Sequence, residues 1–147
     1  GRDLPLVIAL TNAQAKDETT RKLATELQQY YANAGRQTTV ETIKPNGLVL
    51  GERTGRSISR YPRWRTIKAD LILLGLPQDN ILIFDQARGR LITKDHLPPA
   101  PGAAAIVPTW SPFHAGQQVL NIVVDSPDGL QQAIRKLTLS PKTGEVK

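Results

Sequence analysis

Few residues in this chain are of a type and spacing that could do chemistry. The serines Ser57, Ser59, Ser111, Ser126 and Ser140 are the candidate nucleophiles, with His96 and His114 as imidazole bases. None of the serines stands in a Gly-x-Ser-x-Gly turn, the strained elbow that lifts a hydroxyl above a sheet. Ser111 and His114 are close enough in sequence to meet, but nothing around them implies a pair of oxyanion donors. Gly51-Glu52-Arg53-Thr54-Gly55-Arg56-Ser57 comes nearest to a phosphate loop. That motif needs four residues between its glycines, then lysine and Ser/Thr, so that successive N–H groups converge on phosphate. Here three residues separate the glycines, arginine replaces lysine, and Pro62 interrupts the helix that should follow. Asp125 and Asp128 flank a helix start, where the macrodipole favours carboxylates without any acid–base role. There is no cysteine and there are only two histidines, which removes thiolate chemistry and disulfides and argues against an all-protein zinc site. The expectation is a chain that is not an enzyme and holds no metal or cofactor.

Two other groups of residues point to binding. Between Glu52 and Lys68, six basic residues (Arg53, Arg56, Arg60, Arg63, Arg65 and Lys68) face Glu52 as the one acid. Most of the net charge of +6 therefore sits in one segment. Tyr61 and Trp64 interleave with these arginines, a mixture suited to neutralising phosphates and stacking bases. Arg53, Arg56, Arg60, Tyr61, Arg63, Trp64 and Arg65 are accordingly the candidate polyanion site, for nucleic acid or an acidic polysaccharide. The alternative is a solvated loop whose Tyr61 and Trp64 pack back onto the core. The second group, Thr11, Asn12, Gly75, Asn80 and Ser126, stands at expected strand ends. In open α/β sheets ligands bind beyond the carboxyl ends of strands, where strand order reverses. These residues are either a small polar site or plain turns and caps.

The elements that must position them follow from hydrophobic pattern. Leu4–Leu10 and Asp70–Leu76 are short unbroken apolar runs, as in buried parallel strands. Thr11, Asn12 and Ala13 break the first. From about Lys16 to Ala34, Leu23, Leu27, Tyr30, Tyr31 and Ala34 recur at helical spacing, with Gly35 as a left-handed cap. Thr38–Ile43 alternates as a strand. The stretch 47–68 reads as a long basic loop or insertion, with Leu48–Leu50 as its one apolar run. Asn80–Phe84 fits a short helix better than a strand paired with Asp70–Leu76. Ala103–Val107 and Val119–Val124 are expected to be antiparallel neighbours joined through Pro108–Gln118. Ser126 and Pro127 open a final helix whose stripe is Leu130, Ala133, Ile134 and Leu137.

At 147 residues, with 39% apolar and 22% charged composition, the chain suits one domain of ordinary globular make-up. That domain is expected at 1–140, followed by a polar tail at 141–147. No run approaches the roughly 18 apolar residues a membrane helix needs. The elements imply an α/β sandwich, with helices on both faces of a mixed, mostly parallel sheet of about five strands. The chain begins at Gly1 and has neither a methionine nor a signal peptide, so it reads as a piece of something longer.

Ala69–Asn80 (ADLILLGLPQDN) and Pro112–Leu130 (PFHAGQQVLNIVVDSPDGL) together resemble the flavodoxin-like accessory domains of extracytoplasmic carbohydrate proteins. Examples are the periplasmic regulatory subunit of bacterial cellulose synthase and some surface-layer or secreted hydrolase proteins. Those domains carry an apolar strand ending in a Gly-x-Pro-x-x-Asn turn, then a Pro-Phe connection into a strand and a helix-starting Asp-Gly. The likeness covers roughly the second half of the chain and leaves the arginine-rich segment unplaced. It implies a non-catalytic accessory or interaction domain of a periplasmic or extracellular protein. The partners it implies are other domains or subunits of a larger assembly.

Overall fold

The computed structural model describes residues 4–44, 61–98, 100–111 and 115–139, without the side chain of Arg65. Its elements are β1 (Leu6–Leu10), α1 (Asn12–Lys16), α2 (Glu18–Asn33), β2 (Thr38–Thr42), α3 (Pro62–Thr66), β3 (Asp70–Gly75), α4 (Ile81–Arg88), β4 (Ala104–Trp110), β5 (Gln118–Val124) and α5 (Pro127–Leu139), with a 3-10 turn at Lys94–His96. The strands form one sheet in the order β2-β1-β3-β5-β4. β1 pairs in parallel with β2 and β3, and β3 with β5, whereas β4 runs antiparallel to β5 at the edge. This is a mixed, mostly parallel α/β fold of flavodoxin-like character. None of the described helices is long and apolar enough to cross a membrane.

Every residue of β1 and β3 is buried, which is why both read as unbroken apolar runs. Their side chains alternate between two clusters. Leu6, Ile8 and Leu10 join Leu23 and Leu27 of α2 and Leu130, Ala133, Ile134 and Leu137 of α5. Val7 and Ala9 instead join Trp64 of α3 and Leu82 and Ile83 of α4. The α5 stripe is thus buried as its spacing requires. Its first turn comes so close to the β4 entry that a methyl group at Gly129 would sit 2.7 Å from the Ala103 carbonyl oxygen. Asp70 is the buried exception in β3; its carboxylate accepts from the Arg36 guanidinium and from the Gln118 amide, the latter at 2.9 Å.

Several boundaries differ from the sequence expectation. Residues Thr11 to Ala13 do not simply end a strand. Thr11 forms a reciprocal capping box with Gln14, which nucleates the one-turn helix α1. Asp17, in extended conformation, then closes α1 and caps α2. Within the expected loop 47–68, α3 forms with Pro62 in its first turn and buries Trp64. The rest of that loop, including Leu48–Leu50, lies outside the described residues, as does the 141–147 tail. Asn80–Phe84, by contrast, opens a helix as its pattern leads one to expect, because the Asn80 carboxamide oxygen accepts from the Leu82 and Ile83 amides. Pro108 belongs to β4 rather than to the connection, which shrinks to Ser111–Gln117. The Ser111 amide donates to the Gln117 carbonyl, so alternation turns the backbone groups of Ser111, Thr109 and Val107 towards β5. Pro108 faces the outer edge, where a missing N–H costs no sheet hydrogen bond.

Candidate functional site

Strand order reverses between β1 and β3: the chain leaves β1 for β2 on one side and returns to β3 on the other. Doubly wound folds bind ligands at this point. A cleft of about 400 Å³ lies there, lined by Thr11, Gln14, Asp17, Gly75, Asp79 and Ser126 among others. The structure therefore brings three of the strand-end residues, Thr11, Gly75 and Ser126, to one place. Asn12 and Asn80 are absent from the lining. Asn12 is exposed on the first turn of α1, while Asn80 is buried beneath the cleft as the cap of α4.

The polar groups of this cleft are largely committed to the fold. Thr11 Oγ1 accepts from the Gln14 amide at 3.1 Å, and Gln14 Oε1 accepts from the Thr11 amide at 2.9 Å. Gln14 Nε2 crosses the cleft floor to donate to the Leu74 carbonyl at 2.8 Å, and Asn80 Nδ2 donates to the same oxygen at 3.0 Å. Gly75 is left-handed at φ 117°, and a Cβ there would stand 3.1 Å from Gln14 Nε2, so glycine is what lets the glutamine reach across. Asp17 Oδ2 accepts from the Thr20 hydroxyl at 2.6 Å and the Thr20 amide at 3.0 Å. Those two bonds, the hydroxyl's first, hold the Asp17 carboxyl below its ordinary pKa against a small opposing effect of burial. Ser126 Oγ caps α5 at the Gly129 amide, and Asp125 Oδ1 accepts from the Gly102 amide.

Asp17, Asp79 and Asp125 line the cleft and, among the described residues, no lysine or arginine does. A flavin or nucleotide phosphate, which this fold class can hold at the switch point, does not fit such a site. The Gln14 and Thr20 amides are taken by Thr11 and Asp17, and the carboxylates repel a phosphate. Among the described residues no group of three or more histidine and carboxylate side chains converges as metal ligands. Chemically, the cleft suits a small neutral polar or cationic group.

The arginine-rich segment is described only in part. Arg53, Arg56 and Arg60 lie outside the described residues, as does the side chain of Arg65. Arg63 donates from Nε and Nη2 to the two Glu41 carboxylate oxygens at 2.7 and 2.8 Å. These bonds raise its pKa, and its guanidinium sits 5.8 Å from the Trp64 ring centroid. Trp64 is 1% exposed and offers no face to a nucleic-acid base. Tyr61 is half-buried against the same cluster. The two aromatics thus follow the alternative in which they pack onto the core. His114 lies outside the described residues, so its pairing with Ser111 does too.

Sequence reasoning passed over Gln14, Asp17 and Thr20. The signal for Gln14 was available in the spacing Thr11-x-x-Gln14, a capping box, and Asp17-x-x-Thr20 is the same kind of cue. Their reach across the switch point was not, since it depends on strand order. Comparison with known protein families, curated proteins and solved structures gives no match.

Proposed function

We propose that this chain is a non-catalytic interaction domain of a larger, extracytoplasmic protein, acting in assembly or partner contact. One observation carries the reading: Trp110, at the end of edge strand β4, is 65% exposed. A large exposed aromatic is costly to leave in water and is the residue type most enriched at the energetic centres of interfaces. The cleft at the strand ends adds support from the other direction, because most of its polar groups are bonded within the chain. A polyanion-binding role is the second reading. It would rest on Arg53, Arg56, Arg60 and Arg65 without Trp64, and Arg63 would first have to leave Glu41.

The test is photo-crosslinking in producing cells, with benzoyl-phenylalanine at position 110 and, as control, at the exposed Lys22 on α2. A discrete adduct from position 110 and none from position 22 is the expected result. Equal labelling from both positions, or none from either, would sink the reading.

A further inference from the structure

A second cleft, of about 370 Å³, is lined by Pro77, Ala87, Arg90, Ile92, Thr93, Lys94 and Leu97. Its walls are apolar, and its cationic groups are Arg90 and Lys94. Both are exposed, and neither enters an ion pair among the described residues. Nearby Arg88 lies 3.9 Å from Asp85, and Asp95 is the acid in the adjoining 3-10 turn. The Thr93 amide is already bonded to His96 Nδ1 at 3.0 Å, and the charged groups of the lining are the two cationic side chains.

Backbone conformation fixes where one of these cations stands. After α4, Gly89 takes an ordinary φ of −81°, while Arg90 occupies the left-handed position at φ 62°. Among the described residues Arg90 alone is a non-glycine with positive φ. Arg90 fills the left-handed position, more often glycine's, of the turn that ends α4, in which the Arg90 amide donates to the Ala87 carbonyl and the Leu91 amide to the Gln86 carbonyl. Here it sets a guanidinium at the mouth of an apolar cleft.

We propose that this cleft binds an acidic peptide segment of a partner protein, anchored by an apolar side chain between Pro77, Ile92 and Leu97 and held by carboxylates on Arg90 and Lys94. Leu97 in the cleft wall is 40% exposed, and Leu91, outside the lining, is 37% exposed and carries apolar surface past the cleft, which favours an extended chain over a small anion. Charge complementarity selects the acidic residues. The proposal rests on the reading of the chain as an interaction domain but uses no group near Trp110.

Isothermal calorimetry tests it with a short synthetic peptide in which a Leu-Leu pair is flanked by aspartates. The controls are the same peptide with serine for leucine, and free decanoate. The leucine peptide is expected to bind saturably and more weakly as salt rises. Arg90→Gly and Lys94→Ser should each weaken it about tenfold or more. Because glycine relieves the left-handed strain, Arg90→Gly should melt about 3 °C higher, so lost binding there is not lost structure. Absence of saturable binding, unchanged affinity in Arg90→Gly, equal binding of the serine peptide, or preference for decanoate would each overturn the proposal. None of these outcomes alters the Trp110 crosslink, so the two readings fail separately.

Discussion

Tyr31 and Arg36 meet near the amino end of the sheet, and they respond to substitution in opposite ways. The Tyr31 hydroxyl is buried and bonds to nothing among the described residues. Burial, reinforced by the neighbouring Tyr30 and partly offset by Arg36, pushes its pKa up to about 12. An unfolded phenol ionises at about 10, so above that pH the unfolded chain sheds a proton that the folded chain keeps. Stability contributed by the neutral phenol is therefore whole below about pH 10 and falls as pH rises towards 12. Urea titrations on both sides of that window should show the decline in the wild type and its loss in Tyr31→Phe. With no hydrogen bond to lose, Tyr31→Phe should lie within about 0.5 kcal/mol of wild type at neutral pH, or above it. Arg36 is different, because its guanidinium bonds Asp70, which is 1% exposed. Arg36→Ala takes the cationic partner from that carboxylate while the Gln118 amide still donates to it, and should cost about 2 kcal/mol in the same titration at neutral pH.

At the scale of elements, α4 is held by two amide side chains at its start and middle. Asn80 caps the helix and ties it to the Leu74 carbonyl. Gln86, also fully buried, donates to Asn121 Oδ1 at 2.8 Å and accepts from Thr109 Oγ1 at 2.6 Å, which joins α4 to β5 and β4. Asn80→Ala removes the cap and the cross-link together and should destabilise by about 2 kcal/mol or more in denaturant unfolding. Asn80→Asp keeps the capping oxygen but turns an acceptor towards the Leu74 carbonyl, so it should not restore stability. If Asn80→Asp proved as stable as wild type, the helix cap alone would matter. Why some of these elements were legible in the sequence follows from the same contacts. The α5 stripe and the apolar runs of β1 and β3 report their burial directly, since each residue's environment is set by its own periodicity. The α3 turn and the extension of β4 through Pro108 were not legible. Trp64 is buried by packing against distant residues such as Val7 and Leu82, and Pro108 is tolerated only because β4 is an edge. At the strand ends, Thr11, Gly75 and Ser126 could be named from turn chemistry. Gln14 spanning to Leu74 could not, because nothing local brings β1 and β3 side by side.

For the whole molecule, the exposed side of β4 decides how copies of the fold meet one another. An edge strand rich in apolar residues is a template for further pairing. Pro108 interrupts its outward donors between Ile106 and Trp110. Pro108→Thr restores an N–H at that point and favours extended backbone. The variant should self-associate with rising concentration, read by sedimentation velocity, while the wild type stays unchanged over the same range. Unaltered sedimentation of Pro108→Thr would mean that this edge is protected by something other than its proline. The same edge has a practical consequence through the contrast between the chain's two tryptophans, one 1% and the other 65% exposed. Their indole emissions report on separate events without any added label. Trp64 should emit at short wavelength until the core comes apart, whereas Trp110 should respond to whatever covers the edge, so one spectrum can tell unfolding from occupancy.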